Sequence, residues 1–282
     1  MSITERFFYL EKEPCVIYLP EKPNGFSVML LGDYNYFIEN GTSLWTQHAG
    51  RSYFLHGLIE QGYTVFSSNL YGRHWGNDQS VRLAKRLYDV VLRKETLNAK
   101  MHIMADGMGA LVALEMMNKY PECIRSVIML NPCLDLPEYV EFEKEHKFFY
   151  KRLVKELSLA YDAKEEELES KINKKSFTLL PSCVPVKIFV STQEKRGRKQ
   201  QLRRYEKMRQ LNQCDTSVLF HLQDVKYKMV RQTTDFFKNM KKNYEAPIYI
   251  NEELFVSEGK GWWYGTRANC RCTYVCRLSP CK

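Results

Sequence analysis

Few residues of this chain are spaced for chemistry, and the segment that comes closest is Ala105-Asp106-Gly107-Met108-Gly109. It joins an apolar run, Lys100–Ala105, to a helical stretch, Met108–Lys119, through small side chains. So tight a strand-to-helix reversal needs small residues, because the helix must pack almost against the strand it leaves. In the pattern G-x-S-x-G, such a turn presents a nucleophile at its middle position. Here that position is Gly107, which has no side chain to attack a carbonyl. Asp106 does not take over the role, since Met104 and Met108 would then fill the flanking glycine places and both are too bulky. A phosphate-binding turn is the other use of such a segment, but Gly-Met-Gly is too short for G-x-G-x-x-G and Asp106 would repel the anion.

The remaining reactive side chains are scattered. The six histidines (His48, His56, His74, His102, His146 and His221) include no pair at i, i+4 with a carboxylate between them, so neither a metal site nor a cofactor is expected. Among them His74 stands out, because Tyr71-Gly72-Arg73-His74-Trp75-Gly76 follows an apolar run and forms a loop at the edge where open α/β sheets bind ligands. Arg73, His74 and Trp75 suit either an anionic, partly apolar ligand or a well-packed loop. Five cysteines, Cys15, Cys123, Cys133, Cys183 and Cys214, occur singly, as reduced buried thiols do. Four more crowd the last 13 residues as C-x-C-x3-C-x4-C, a poor match to zinc spacing.

Charge and composition exclude several classes. The net charge of +9 is concentrated in residues 195–209, with eight Lys/Arg against one Glu, and 257–282, with five against one. A nucleic-acid partner is not expected, since Tyr205 is the single aromatic residue in the first basic run and no stacking platform is present. No run approaches the roughly 18 apolar residues of a membrane span. The opening residues lack the apolar core of a signal peptide, so a cytoplasmic location is expected.

The elements that must position these residues follow from hydrophobic periodicity. Arg6–Leu10, Cys15–Tyr18, Phe26–Leu31, Tyr63–Ser68, Lys100–Ala105, Ile124–Leu130, Val186–Ser191 and Thr216–Leu222 read as strands. Helical stretches lie at 43–61, Gln79–Leu97, Met108–Lys119, 198–212 and 227–241. Strands alternating with helices predict an α/β architecture: a mostly parallel sheet of about eight strands with helices on both faces. Residues 137–175 interrupt the alternation with charged helical sequence, so 137–180 is expected as a helical cap insertion within a domain spanning 1–242. Residues 243–282 are expected to be a linker and a basic, Cys-rich extension.

The Gly107 turn and its surroundings resemble the α/β-hydrolase superfamily, whose nucleophile elbow commonly reads Gly-His-Ser-Met-Gly followed by Ala-Leu-Val-Ala. Ala105 matches the first Gly, Gly107 the Ser and Gly109 the last Gly. Leu31-Gly32 stands where the superfamily often has His-Gly, and Asn69-Leu70-Tyr71-Gly72 where it often has Asp-x-x-Gly. Asn131-Pro132 follows the sixth strand in the usual way. The resemblance covers roughly residues 6–242. It implies an acid after the seventh strand, where Glu194 is the candidate, and a histidine after the eighth, where Asp224-Val225-Lys226-Tyr227-Lys228 has none. His221 is near but within the strand. The implied oxyanion hole uses the Met108 N–H and one N–H near Gly32 or Asp33, open above Gly107.

Two uses of such a chain follow. One is a non-catalytic pseudo-hydrolase that binds a small-molecule ligand or a protein partner in the capped pocket. The other is an unconventional esterase- or thioesterase-like hydrolase, its water activated by Asp106, Glu194 or a histidine.

Overall fold

The structure, a computed structural model, describes residues 4–145, 147–177, 182–194, 196–221 and 226–242. The chain divides into two units, Met1–Tyr244 and Glu245–Lys282. The expected Cys-rich extension lies outside the described residues.

Strands β1 (Thr4–Leu10) and β2 (Glu13–Leu19) form an antiparallel hairpin, followed by β3 (Ser27–Leu31). A small hairpin, β4 (Ile38–Glu39) and β5 (Thr42–Ser43), comes next and was not expected. Its turn, Asn40-Gly41, has φ of 51° and 72°, the two positive values that a two-residue hairpin with native twist requires. Helices α1 (Leu44–Gln47) and α2 (Ala49–Glu60) replace the single helix expected over 43–61. The break is at His48, whose extended backbone ends α1 while its imidazole caps α2.

Then follow β6 (Thr64–Ser68), α3 (Asp78–Lys94), β7 (Met101–Asp106), α4 (Gly109–Lys119) and β8 (Ile124–Leu130). Helices α5 (Leu136–Glu143), α6 (Lys147–Tyr161) and α7 (Glu165–Ile172) are inserted before β9 (Val186–Ser191). The described chain closes with α8 (Arg196–Leu211), β10 (Thr216–His221) and α9 (Lys226–Lys242).

Eight strands make one sheet in the order β1-β2-β6-β3-β7-β8-β9-β10, antiparallel at β1, β2 and β6 and parallel from β6 to β10. From β3 the chain leaves to β6 on one side and returns to β7 on the other. Adjacent strands whose connections depart in opposite directions open a crevice between their C-terminal ends, where doubly wound sheets bind ligands. The topology therefore places any site between Leu31-Gly32-Asp33 and Asp106-Gly107-Met108.

Side-chain alternation feeds two cores. Met29, Leu31, Ile103 and Ala105 pack under α3, α4 and α8, while Val28, Leu30, Met104 and Ile128 face α2 and α9. Strands β3, β6, β7 and β8 are buried on both faces, so each Val, Ile or Leu in them contributes roughly 1.5–3 kcal/mol of transfer free energy. A third cluster sets Leu136, Val140, Leu153 and Leu157 of the inserted helices over Trp75 and Met108.

Among the described residues no helix is long and apolar enough to cross a membrane. One expectation needs correction: Cys183 and Cys214 are joined by a disulfide, so among the described residues Cys15, Cys123 and Cys133 are the free buried thiols. The parallel register of β9 with β10 brings the segments before these two strands together, and no local spacing announces a bridge across 31 residues.

Candidate functional site

The register that pairs Leu31 with Ala105 sets Asp33 alongside Gly107 across the crevice. Gly107 has φ of +51°, in the left-handed region that favours glycine. Gly109 lets α4 close on β3: a Cβ there would stand 2.4 Å from the Leu31 carbonyl oxygen. Backbone bonds fix the turn from both sides, since Gly107 N–H donates to Leu130 O and Gly107 O accepts from Cys133 N–H, both at 2.9 Å.

Asp33 fills the place of the missing side chain. A Cβ on Gly107 would lie 2.2–2.7 Å from the Asp33 carboxylate atoms. Asp33 Oδ1 accepts the Met108 N–H at 2.8 Å. The expectation of an open oxyanion position is therefore corrected. With no side chain at 107 there is room for a carboxylate from the neighbouring strand, and it takes the very N–H a developing oxyanion would use. Gly32, the other expected contributor, lies against Tyr36, with its missing Cβ 2.2 Å from the ring.

The neighbouring charges are answered from within the chain. Asp106 Oδ2 accepts from Arg51 Nε at 3.1 Å and Nη2 at 2.5 Å. Burial raises the Asp106 pKa and Arg51 opposes the rise, while Asp33 adds to it. Glu194, the candidate acid, stands 3.6 Å from Arg198 Nε. Arg198 in turn donates to the Asn131 carbonyl at 3.1 Å and lies over the Tyr139 ring. His221 is the last residue of β10, three strand positions from β7, about 14 Å at ~4.8 Å per strand. With no side chain at position 107, a serine-type triad lacks its nucleophile wherever Glu194 and His221 stand.

The Arg73-His74-Trp75 loop divides into different roles. Trp75 N–H donates to Met108 Sδ at 3.2 Å, and its indole Nε1 donates to Glu156 Oε2 at 3.2 Å. Arg73 pairs with the other oxygen of Glu156, which also receives Arg152 Nε at 2.9 Å. Trp75 stacks on Tyr139 with ring centroids 5.5 Å apart. His74 is buried, its Nδ1 accepting the Gly76 N–H at 3.1 Å, and burial pulls its pKa down to about 3. It is a neutral acceptor that shapes the loop.

A cavity of about 240 Å³ lies beside this loop, lined by Tyr34, Trp75, Tyr139, Phe149, Arg152 and Arg198 among others. Trp75 is the one expected binding residue on its wall; Arg73 and His74 line an adjoining cavity of about 550 Å³. Sequence reasoning missed Arg51, Tyr139, Glu156 and Arg198, which act only through partners distant in the chain. Among the described residues no group of three or more His, Cys, Asp or Glu is placed to hold a metal ion.

No family model matches the chain and no curated protein does. Solved structures do. Est1E from Butyrivibrio proteoclasticus superposes with a TM-score of 0.59 at 12% identity, covering 84% of this chain and 99% of that one. FphF, a fluorophosphonate-binding serine hydrolase of Staphylococcus aureus, gives 0.57 at 12% identity over 85% and 98%. The acylaminoacyl peptidase of Pyrococcus horikoshii gives 0.65 at 12%, covering 87% of this chain and 43% of that one. At these identities the likeness is one of fold: this chain has the α/β-hydrolase fold.

Proposed function

We propose that this α/β-hydrolase-fold chain is a pseudo-hydrolase, a ligand-binding protein that performs no acyl transfer at its Gly107 turn. The observation that carries the reading is the Asp33 carboxylate seated on the Met108 N–H. Acyl transfer needs a nucleophile, a base within hydrogen-bond reach and donors aimed at the developing oxyanion. Gly107 supplies no nucleophile, and a fixed negative charge already holds the donor. What the fold retains is a crevice at the C-terminal strand ends with an aromatic-walled cavity beside it, a setting that binds small molecules. The alternative, a hydrolase using water activated by Asp106, Glu194 or a histidine, has less support. Arg51 and Arg198 engage the two carboxylates, and His74 is a buried acceptor. A cytoplasmic location belongs to the same proposal and is supported by three free buried thiols among the described residues, with the Cys183–Cys214 bridge standing against it.

Hydrolysis of p-nitrophenyl acetate by the unaltered protein, Gly107→Ser and Gly107→Ser/Asp33→Ala tests this reading. The expected result is background rates for the first two and no more than a weak gain for the third, since no base is supplied. Turnover by the unaltered protein that disappears in Asp106→Asn would overturn it.

A further inference from the structure

Three cavities follow one side of α6. The aromatic cavity and the adjoining one share Arg152 and Glu156 on their walls. The adjoining one in turn shares Asn77, Gln79 and Ala160 with a third, of about 790 Å³, between α3, α4 and α7. They form one trough, and its chemistry changes along its length. At the first end are four aromatic side chains, with guanidinium planes over two of them: Arg198 over Tyr139 and Arg73 over Tyr34. In the middle Glu156 takes Arg73, Arg152 and the Trp75 indole, so both guanidinium groups are engaged by one carboxylate, and Lys155 also stands on the wall.

The far end is cationic. On its floor the buried Lys175 bonds Glu115 at 2.7 Å and Asp78 at 2.9 Å, and Lys119 bonds Glu115 at 2.9 Å, so these four charges cancel. Lys171 spends two donors on the neutral carbonyls of Tyr161 and Asp162 and keeps its charge. Arg82 and Lys174 form no ion pair among the described residues, although both line the cavity. Against these three free positive charges stands one carboxylate on the wall, Asp162. The excess is about two units of positive charge, what a terminal phosphate or a diphosphate brings.

We infer that this trough is a binding site for a planar-ring phosphate compound of the nucleoside diphosphate class, its ring among Tyr34, Trp75 and Phe149 and its phosphates at Arg82, Lys171 and Lys174. Flat aromatic and guanidinium surfaces favour a planar ring, and a cavity of about 240 Å³ has room for one or two fused rings. From Arg152, midway along the aromatic end, to Ala160 at the cationic end is eight residues of α6, about 12 Å. A ring joined through a sugar to two phosphates covers that span. The inference rests on the ligand-binding reading above and supplies its ligand class.

Isothermal titration of the full chain with adenosine diphosphate, adenosine and inorganic pyrophosphate tests it. Adenosine diphosphate is expected to bind saturably, with adenosine and pyrophosphate each at least tenfold weaker. The Arg82→Ala/Lys174→Ala variant should lose at least tenfold for the diphosphate and nothing for adenosine. Phe149→Ala should weaken the diphosphate and adenosine while leaving pyrophosphate unchanged. Pyrophosphate binding as tightly as adenosine diphosphate would reduce the site to a cationic patch and overturn the inference, as would no binding of the three. Saturable binding of 2-naphthol without any binding of adenosine diphosphate would overturn it too, yet leave the ligand-binding reading standing.

Discussion

The turn at Gly107 and the far end of the trough along α6 treat polar groups in opposite ways. At the turn each charge is met by a partner from the chain: Asp33 by the Met108 N–H, Asp106 by Arg51, Glu194 by Arg198. At the far end of the trough Arg82 and Lys174 are left without a counter-charge among the described residues. An internally satisfied polar group contributes to stability and resists substitution, because removing its partner leaves a buried charge unmet. An unmet surface cation contributes little to the fold and is free to bind. The polar groups at the turn are thus engaged with one another, and the unpaired cations lie at the far end of the trough.

Changes at groups satisfied from within the chain should cost stability, beginning with His74, a buried acceptor on the wall of the trough's middle cavity. Its pKa is lowered to about 3 by burial, so its contribution is complete above the unfolded value of about 6.5 and is lost as pH falls toward 3. Between pH 7 and pH 4 the unaltered protein should lose about 3 kcal/mol more than His74→Asn, which keeps an acceptor for Gly76 but has no proton to gain. Urea unfolding at the two pH values measures it, and parallel losses would show that His74 is not the group involved.

Arg51→Ala should cost about 2–3 kcal/mol, below the range for fully buried pairs because the Arg51 side chain is 28% exposed. Adding Asp106→Asn should recover part of the loss in thermal melts. Gly107→Ser should cost roughly 2 kcal/mol, from a side chain at φ +51° and the displaced Asp33 carboxylate. Asp33→Gly should relieve it, giving a coupling of about 1 kcal/mol in the double-mutant cycle. Strict additivity would mean that Asp33 does not occupy this space. The smallest effect belongs to the open region: Arg82→Ala/Lys174→Ala should change unfolding free energy by less than about 0.5 kcal/mol without ligand. A larger loss would make those cations structural and erase the contrast.

Local rules carried the fold. Period-two and continuous apolar runs marked the strands of the sheet, and the charged stretch after Asn131-Pro132 marked the inserted helices. The small residues at 105–109 announced a tight reversal, and Gly107 alone ruled out a side-chain nucleophile there. The Asn40-Gly41 dipeptide is a local signal of the same kind for the small β4–β5 hairpin.

The occupants of the site were not legible. Asp33 meets Met108 across 75 positions, Arg51 meets Asp106 across 55, and Glu156 meets Arg73 across 83. The Cys183–Cys214 bridge likewise depends on how β9 and β10 pair. Backbone conformation and periodicity are set by neighbours within a few residues, so the sequence by itself determined the turn, the strands and the missing nucleophile. Which carboxylate enters the space left at Gly107, and which cations remain unpaired, was decided only when strand order and register brought distant segments within hydrogen-bond range.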